Sequence, residues 1–251
     1  MKVKTFFLLF VFLFFSFSLF SQEPEDLMAQ GDKLYAEMKD LAAAEEALAK
    51  YREAFTQAED RYDVYWRIAR ILYYIGAHTE SKKEKKTIFS QGIYNAKKAV
   101  ALEPEKPDGH YWLGVNYGVF GEAKGVLKSL SLVKPIKAEM NKVIEIDREY
   151  EDGGADRVLG RVYFKVPGIA GGSKEKSLEH LLKSKELGPN DPLTRVYLAE
   201  TYLALKEVDK AKAELEYVLN IESDDRWVSG VEDCKEDART LLKDKKFRKK
   251  K

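Results

Sequence analysis

The sequence predicts an all-α fold, a right-handed α-solenoid of about five degenerate helix pairs with a C-terminal capping helix. Three observations predict it. From Glu23 onward apolar residues recur at helical spacing, and almost nothing alternates with the period of a strand. A short phrase returns three times, as Leu113-Gly114 with Tyr117, Leu159-Gly160 with Tyr163, and Leu198-Ala199 with Tyr202. The helical runs also close alike, as in Ala101-Leu102-Glu103-Pro104 and Glu186-Leu187-Gly188-Pro189, where proline stops the helix.

The recurring phrase is the first-helix signature of a tetratricopeptide repeat (TPR). A large and a tiny residue sit side by side, and an aromatic follows one turn later on the same face. The tiny residue lets the second helix come close, and the aromatic fills the space above the contact. Leucine in place of Gly114 or Gly160 should overpack that crossing at a cost of roughly 1–3 kcal/mol.

Taken in order, the first pair places Leu27, Gly31 and Leu34 on one helix from Asp26 to Glu37, after Pro24. Its second helix, Ala42 to Ala58, brings Ala47, Tyr51 and Ala54 to the contact. The second pair starts near Asp63 and is interrupted by the lysine-rich stretch Ser81 to Lys86. The third opens at Pro107 with HYWLGVNYG, followed by a long connection from Gly121 to Lys134, so that Pro135 would begin the next helix. The fourth holds RVLGRVYF, a glycine-rich loop PGIAGG, and Ser173 as N-cap of the following helix. The fifth starts on Asp191 as cap and Pro192 in the first turn. An amphipathic segment from Val231 to Leu242 would then cover the open end, which a solenoid otherwise leaves apolar. Second helices close at Glu103, Glu145, Glu186 and Asn220, at spacings of 42, 41 and 34 residues. The excess over the usual 34 is expected between the two helices of a pair, hence along one edge of the solenoid.

Lys2 and Lys4 precede an apolar run from Phe6 to Phe20. As a helix these residues would be about 22 Å long, short of a bilayer core. A signal peptide over residues 1–21, ending at Ser21, is therefore expected, with residues 22–242 as the helical domain and 243–251 as a basic tail. An uncleaved membrane anchor is the alternative. The expected compartment is extracytoplasmic, periplasmic or secreted. No cysteine follows the run, and the single Cys234 allows no intrachain disulfide. Residues 22–242 carry 34 basic and 41 acidic groups, so nothing global points to nucleic acid. Membrane contact is expected only through an uncleaved N-terminus or the basic tail.

No enzymatic constellation is expected. The loop GIAGGSK lacks the order of a phosphate-binding loop and follows a helix. His78, His110 and His180 have no metal-ligand spacing, and Cys234 lies among acids that disfavour its thiolate. No cofactor is expected. The informative positions are those that first helices project onto a concave wall: Trp66, Arg70, Tyr73, Tyr74, Tyr111, Val115, Arg157, Arg161 and Phe164. Aromatics and arginines carry binding energy at interfaces, and arginine offers a planar fork to carboxylates. The other reading makes the aromatics core and the arginines a solvated face. If Tyr73 and Arg161 are exposed on the wall, replacing both with alanine abolishes partner capture and leaves stability within about 1 kcal/mol.

HYWLGVNYG with Lys124-Gly125-Val126 and Leu132-Val133-Lys134, and the stretch LGRVYFKVPGIAGGSKEKSLEH, go beyond a generic repeat. Together they resemble the TatT family, the extracytoplasmic TPR component of some tripartite ATP-independent periplasmic (TRAP) transporters. They are also similar to the regulator of microtubule dynamics family. The first resemblance implies a scaffold that docks the transporter's solute-binding protein, with a homo-oligomer and a ligand path within what it implies. Relatives of that kind are often lipoproteins, and this chain lacks the cysteine that route requires.

Overall fold

Among the described residues five helix pairs follow one another, and an eleventh helix folds back on the last pair. A computed structural model describes residues 23–57, 62–222, 228–244 and 247. The expected signal peptide, and most of the basic tail, lie outside the described residues.

The pairs are α1 (Pro24–Glu37) with α2 (Leu41–Phe55), α3 (Tyr62–His78) with α4 (Lys82–Leu102), and α5 (Pro107–Lys124) with α6 (Val126–Ile146). Next come α7 (Tyr150–Lys165) with α8 (Lys174–Leu187), α9 (Pro192–Ala204) with α10 (Val208–Asn220), and then α11 (Val228–Leu241). Each helix packs on its partner, and α3, α5, α7 and α9 touch in series. First helices from α3 to α9 thus form one continuous row, and each second helix also packs on the first helix that follows it. The apolar residues gather in three clusters. One joins the first two pairs around Tyr51 and Ile71, a second joins pairs two to four around Trp112 and Met140, and a third lies under α11 around Leu198 and Leu215.

The caps follow the sequence. Asp191 accepts from the amides of Leu193 and Thr194, Ser173 from Lys176, and Pro192 takes the first turn. Two expectations are corrected. The lysine-rich stretch does not interrupt a pair, because Ser81 caps α4 and the lysines form its first turns. Pro135 does not start a helix. It lies inside α6, because only Gly125, at φ 104, separates α5 from α6. Proline there gives up one backbone hydrogen bond to the preceding turn and is held by the flanking contacts of Leu132 and Ile136. The long repeat period is accordingly taken up by longer helices, 21 residues each in α4 and α6, more than by loops.

Helix α11 buries Val231, Cys234 and Ala238. It rests on α9 and α10 as a cap should, and it also reaches α1. His78 at the end of α3 lies 3.2 Å from the Asp233 carboxylate of α11. The last helix therefore also meets the first two pairs.

Candidate groove on the concave face

The small residue of each first helix fixes the register of the wall. These residues are Gly31, Ala69, Gly114, Gly160 and Ala199, all buried against a neighbouring element. The residue after each one gives the series Asp32, Arg70, Val115, Arg161, Glu200. The charges run acid, base, neutral, base, acid, and the ends close into ion pairs. Arg70 Nη2 donates to Asp32 Oδ1 at 2.6 Å, and Arg161 pairs with Glu200. Arginine forks that could receive a partner's carboxylate are thus engaged by carboxylates of the chain itself, across the seam between neighbouring pairs.

The position four residues after each small residue gives Tyr35, Tyr73, Gly118, Phe164 and Leu203. Arg70 lies 3.8 Å over the ring of Tyr35, and Lys174 Nζ lies 3.6 Å over that of Phe164. At the centre nothing lies within 4 Å of where a Cβ on Gly118 would stand. Half-exposed Val115 and the bare backbone at Gly118 therefore leave an open apolar floor, at the register position where the neighbouring first helices carry Tyr73 and Phe164.

The wall is deep. Tyr35, Tyr73 and Tyr197 all keep some surface open. Yet burial pushes the Tyr35 phenol up to about 12 and raises those of Tyr73 and Tyr197. Desolvation disfavours the charged phenolate, which accounts for the direction in all three. Tyr35 of pair one and Tyr197 of pair five are both among the phenols that Tyr73 of pair two influences electrostatically. Glu151 joins them from a left-handed turn at the start of α7, where Glu151, Asp152 and Gly153 have φ of 52, 53 and 73. Burial raises its carboxyl pKa against the pull of Arg157 and Arg70.

The nine residues expected on the wall divide. Trp66, Tyr73, Val115, Arg161 and Phe164 are half-buried at the groove, and so is Arg70, which reaches Asp32 and the Tyr51 hydroxyl. Tyr74 is core, stacked on His78 at 4.0 Å. Tyr111 and Arg157 are buried together: Arg157 donates to the Tyr111 hydroxyl at 2.9 Å and to Asp191 at 2.6 Å. Arg157 and Tyr111 thus join pairs three, four and five, Tyr74 belongs to the core of the first two pairs, and all three are buried. The double alanine variant at Tyr73 and Arg161 is not innocuous either, since Tyr73 lies 6.0 Å from the Trp112 ring and Arg161 ties α7 to α9. Sequence reasoning missed Asp32, Tyr35, Glu200, Tyr197 and Glu151. Asp32, Tyr35 and Glu200 stand at the same offsets from a small residue as Arg161 and Phe164, a signal present in the sequence.

Two further polar side chains have defined surroundings. His110 meets two acceptors, Glu139 Oε2 at 2.6 Å and the Pro104 carbonyl at 2.9 Å. Both ring nitrogens must donate, and the Glu139 contact raises its pKa. Burial, and then Asp191, Asp237 and Asp233, push the Cys234 thiol up to about 12, which disfavours its thiolate.

A family model described as regulator of microtubule dynamics protein 1-3 matches residues 27–170, more than half of the chain. Regulator of microtubule dynamics protein 3 of Rattus norvegicus is 27% identical over 168 residues, 61% of this chain and 35% of that protein. Regulator of microtubule dynamics protein 1 of Mus musculus is 25% identical over 198 residues, 72% of this chain and 62% of that one. The chain thus spans about a third of the first relative's length. A thermophilic TPR protein of Thermus thermophilus superposes with a TM-score of 0.65 at 19% identity, covering 87% of this chain and 98% of its own. That likeness places the chain among TPR-like solenoids.

Proposed function

Because the chain belongs to the regulator of microtubule dynamics protein 1-3 family, a TPR-like interaction fold, we propose that it is a non-enzymatic scaffold whose concave groove seats a segment of a partner protein. The observation that carries the proposal is the open floor at Val115 and Gly118 between Tyr73 and Phe164. An apolar side chain of the partner sits on that floor. The flanking rings supply contact area at low conformational cost, and the two ion pairs form a polar rim. The relatives are named as regulators, which accords with a scaffold.

The compartment proposed is extracytoplasmic, on the strength of the charged and apolar N-terminal sequence. The partner proposed is the solute-binding protein of a TRAP-type transporter, on the strength of the TatT-like stretches. A second reading, a membrane-tethered scaffold, is favoured by the apolar run from Phe6 to Phe20.

The test is binding of the purified solute-binding protein from the same source, measured by calorimetry against Gly118→Phe. The new ring enters open space, so the melting temperature should hold while affinity falls at least tenfold. No binding by the parent chain removes the transporter reading. Unchanged affinity in the variant removes the groove.

A further inference from the structure

The two long edges of the solenoid carry opposite charge, and one of them also carries bare apolar tips. The turns inside pairs two, three and four lie along one edge, because the first helices of these pairs stack in series. Across residues 79–87, 121–129 and 164–176 they hold nine lysines against four glutamates. The turns between pairs lie along the opposite edge. Across residues 102–108, 146–152 and 186–191 they hold nine acids against two bases. Lys82, Lys83, Lys124, Lys128, Lys165 and Lys176 are exposed, and none has a carboxylate partner among the described residues.

Between these lysines stand the most exposed large apolar side chains of the described residues. Ile169 is 101% exposed, Leu127 86% and Val126 73%. They are not tips of loose loops. The turn that presents Ile169 is braced by bonds from Ala170 N to Pro167 O at 2.8 Å, Gly172 N to Pro167 O at 3.1 Å and Ser173 N to Tyr163 O at 3.0 Å. A Cβ on Gly172 would stand 1.7 Å from the Val166 carbonyl, so only glycine permits this fold-back. Val126 and Leu127 occupy the first turn of α6, where Gly125 at φ 104 makes the reversal. In each case a fixed backbone holds an apolar side chain out in water, which is unfavourable unless something apolar receives it.

We propose that this edge docks on an anionic lipid bilayer, with Ile169, Leu127 and Val126 entering the headgroup–acyl boundary and the lysines pairing with lipid phosphates. A polybasic surface with protruding apolar side chains is the combination that binds such a boundary. The acidic edge then faces away, so the charge asymmetry orients the molecule. Sequence alone confines membrane contact to the two termini. The proposal adds a third contact, on the folded body, and does not rest on the groove.

Co-sedimentation with vesicles of phosphatidylcholine, alone or with about 30% phosphatidylglycerol, tests it. The chain from Gln22 to Lys251, which contains every described helix, removes the apolar N-terminal run as a source of binding. The expected result is sedimentation with the anionic vesicles only, weakened by salt. Each lysine at such a surface is worth about fivefold, so Lys83→Glu with Lys128→Glu and Lys165→Glu should lose more than a hundredfold. Leu127→Asp with Ile169→Asp should lose at least tenfold. All five positions are exposed, so melting temperatures should hold. Truncation after Asp244 should leave most of the binding. Absence of binding to anionic vesicles, equal binding to neutral ones, or binding lost on truncation but kept in both edge variants would overturn the proposal.

Discussion

Gly160 and Gly114 occupy the same place in the repeat but not the same environment. A Cβ on Gly160 would stand 2.6 Å from Leu181 Cγ, a branch point, and 3.2 Å from the Ser177 carbonyl of the backbone. On Gly114 it would meet Met140 Cε at 2.4 Å, the end of a flexible chain that can swing aside. Alanine also favours a helix by about 1 kcal/mol over glycine. Gly114→Ala should therefore change stability by less than about 1 kcal/mol, and Gly160→Ala should destabilise by roughly 1–3 kcal/mol. Urea unfolding of the two variants decides; equal midpoints would remove the close approach at Gly160. The small residues were legible in the sequence because their role is local. Arg157 was not, because its role depends on Asp191 and Tyr111. Both are remote in sequence, so its side chain reads as a wall residue until the pairs are stacked.

At the scale of the element, ends were legible where a cap fixes them and illegible where a helix simply continues. Asp191-Pro192 and Ser173 mark starts that the structure keeps. Pro135 misled, since a proline that usually opens a helix here sits in the middle of α6. The lysines after Ser81 misled too, because a polar, exposed first turn of α4 looks like a loop in composition alone. The end of α9 shows a cost the sequence left in place. Lys206 has φ 66, the Glu207 amide bonds the Tyr202 carbonyl at 2.8 Å, and the Lys206 amide bonds that of Leu203 at 3.3 Å. This is a Schellman ending with lysine where glycine fits without strain. The side chain is exposed and has no carboxylate partner among the described residues. Lys206→Gly should thus stabilise the protein by about 0.5–1 kcal/mol. A lower denaturation midpoint in the variant would mean that the lysine makes a contact worth more than the strain.

At the scale of the whole molecule, the question is whether this is an open stack or a closed one. In an open solenoid each pair feels only its neighbours, so loss of the last helix is invisible at the first pair. Here α11 touches α1 as well as α9 and α10, and Asp233 reaches His78. The two contacts differ in kind. Against α9 and α10 the helix packs Cys234 and Ala238 into the apolar cluster of those helices. Towards the first pairs it offers an exposed polar contact from Asp233, 63% open, to the His78 ring, and such a contact is worth about 0–1 kcal/mol. Removal of residues 221–251 should then have two graded effects in hydrogen exchange. Protection in α9 and α10 should fall by several kcal/mol, because the apolar face around Leu198 and Leu215 is opened to water. Protection in α1 and at the end of α3 should fall by no more than about 1 kcal/mol. His78→Ala in the intact chain should reproduce the second effect without the first. An unchanged α1 in the truncated chain would show that the ends are uncoupled and the groove is open at its mouth. A fall in α1 as large as that in α9 would show a ring that opens only as one unit. The graded outcome describes a groove whose far wall is firm and whose mouth is latched weakly enough to part for a partner.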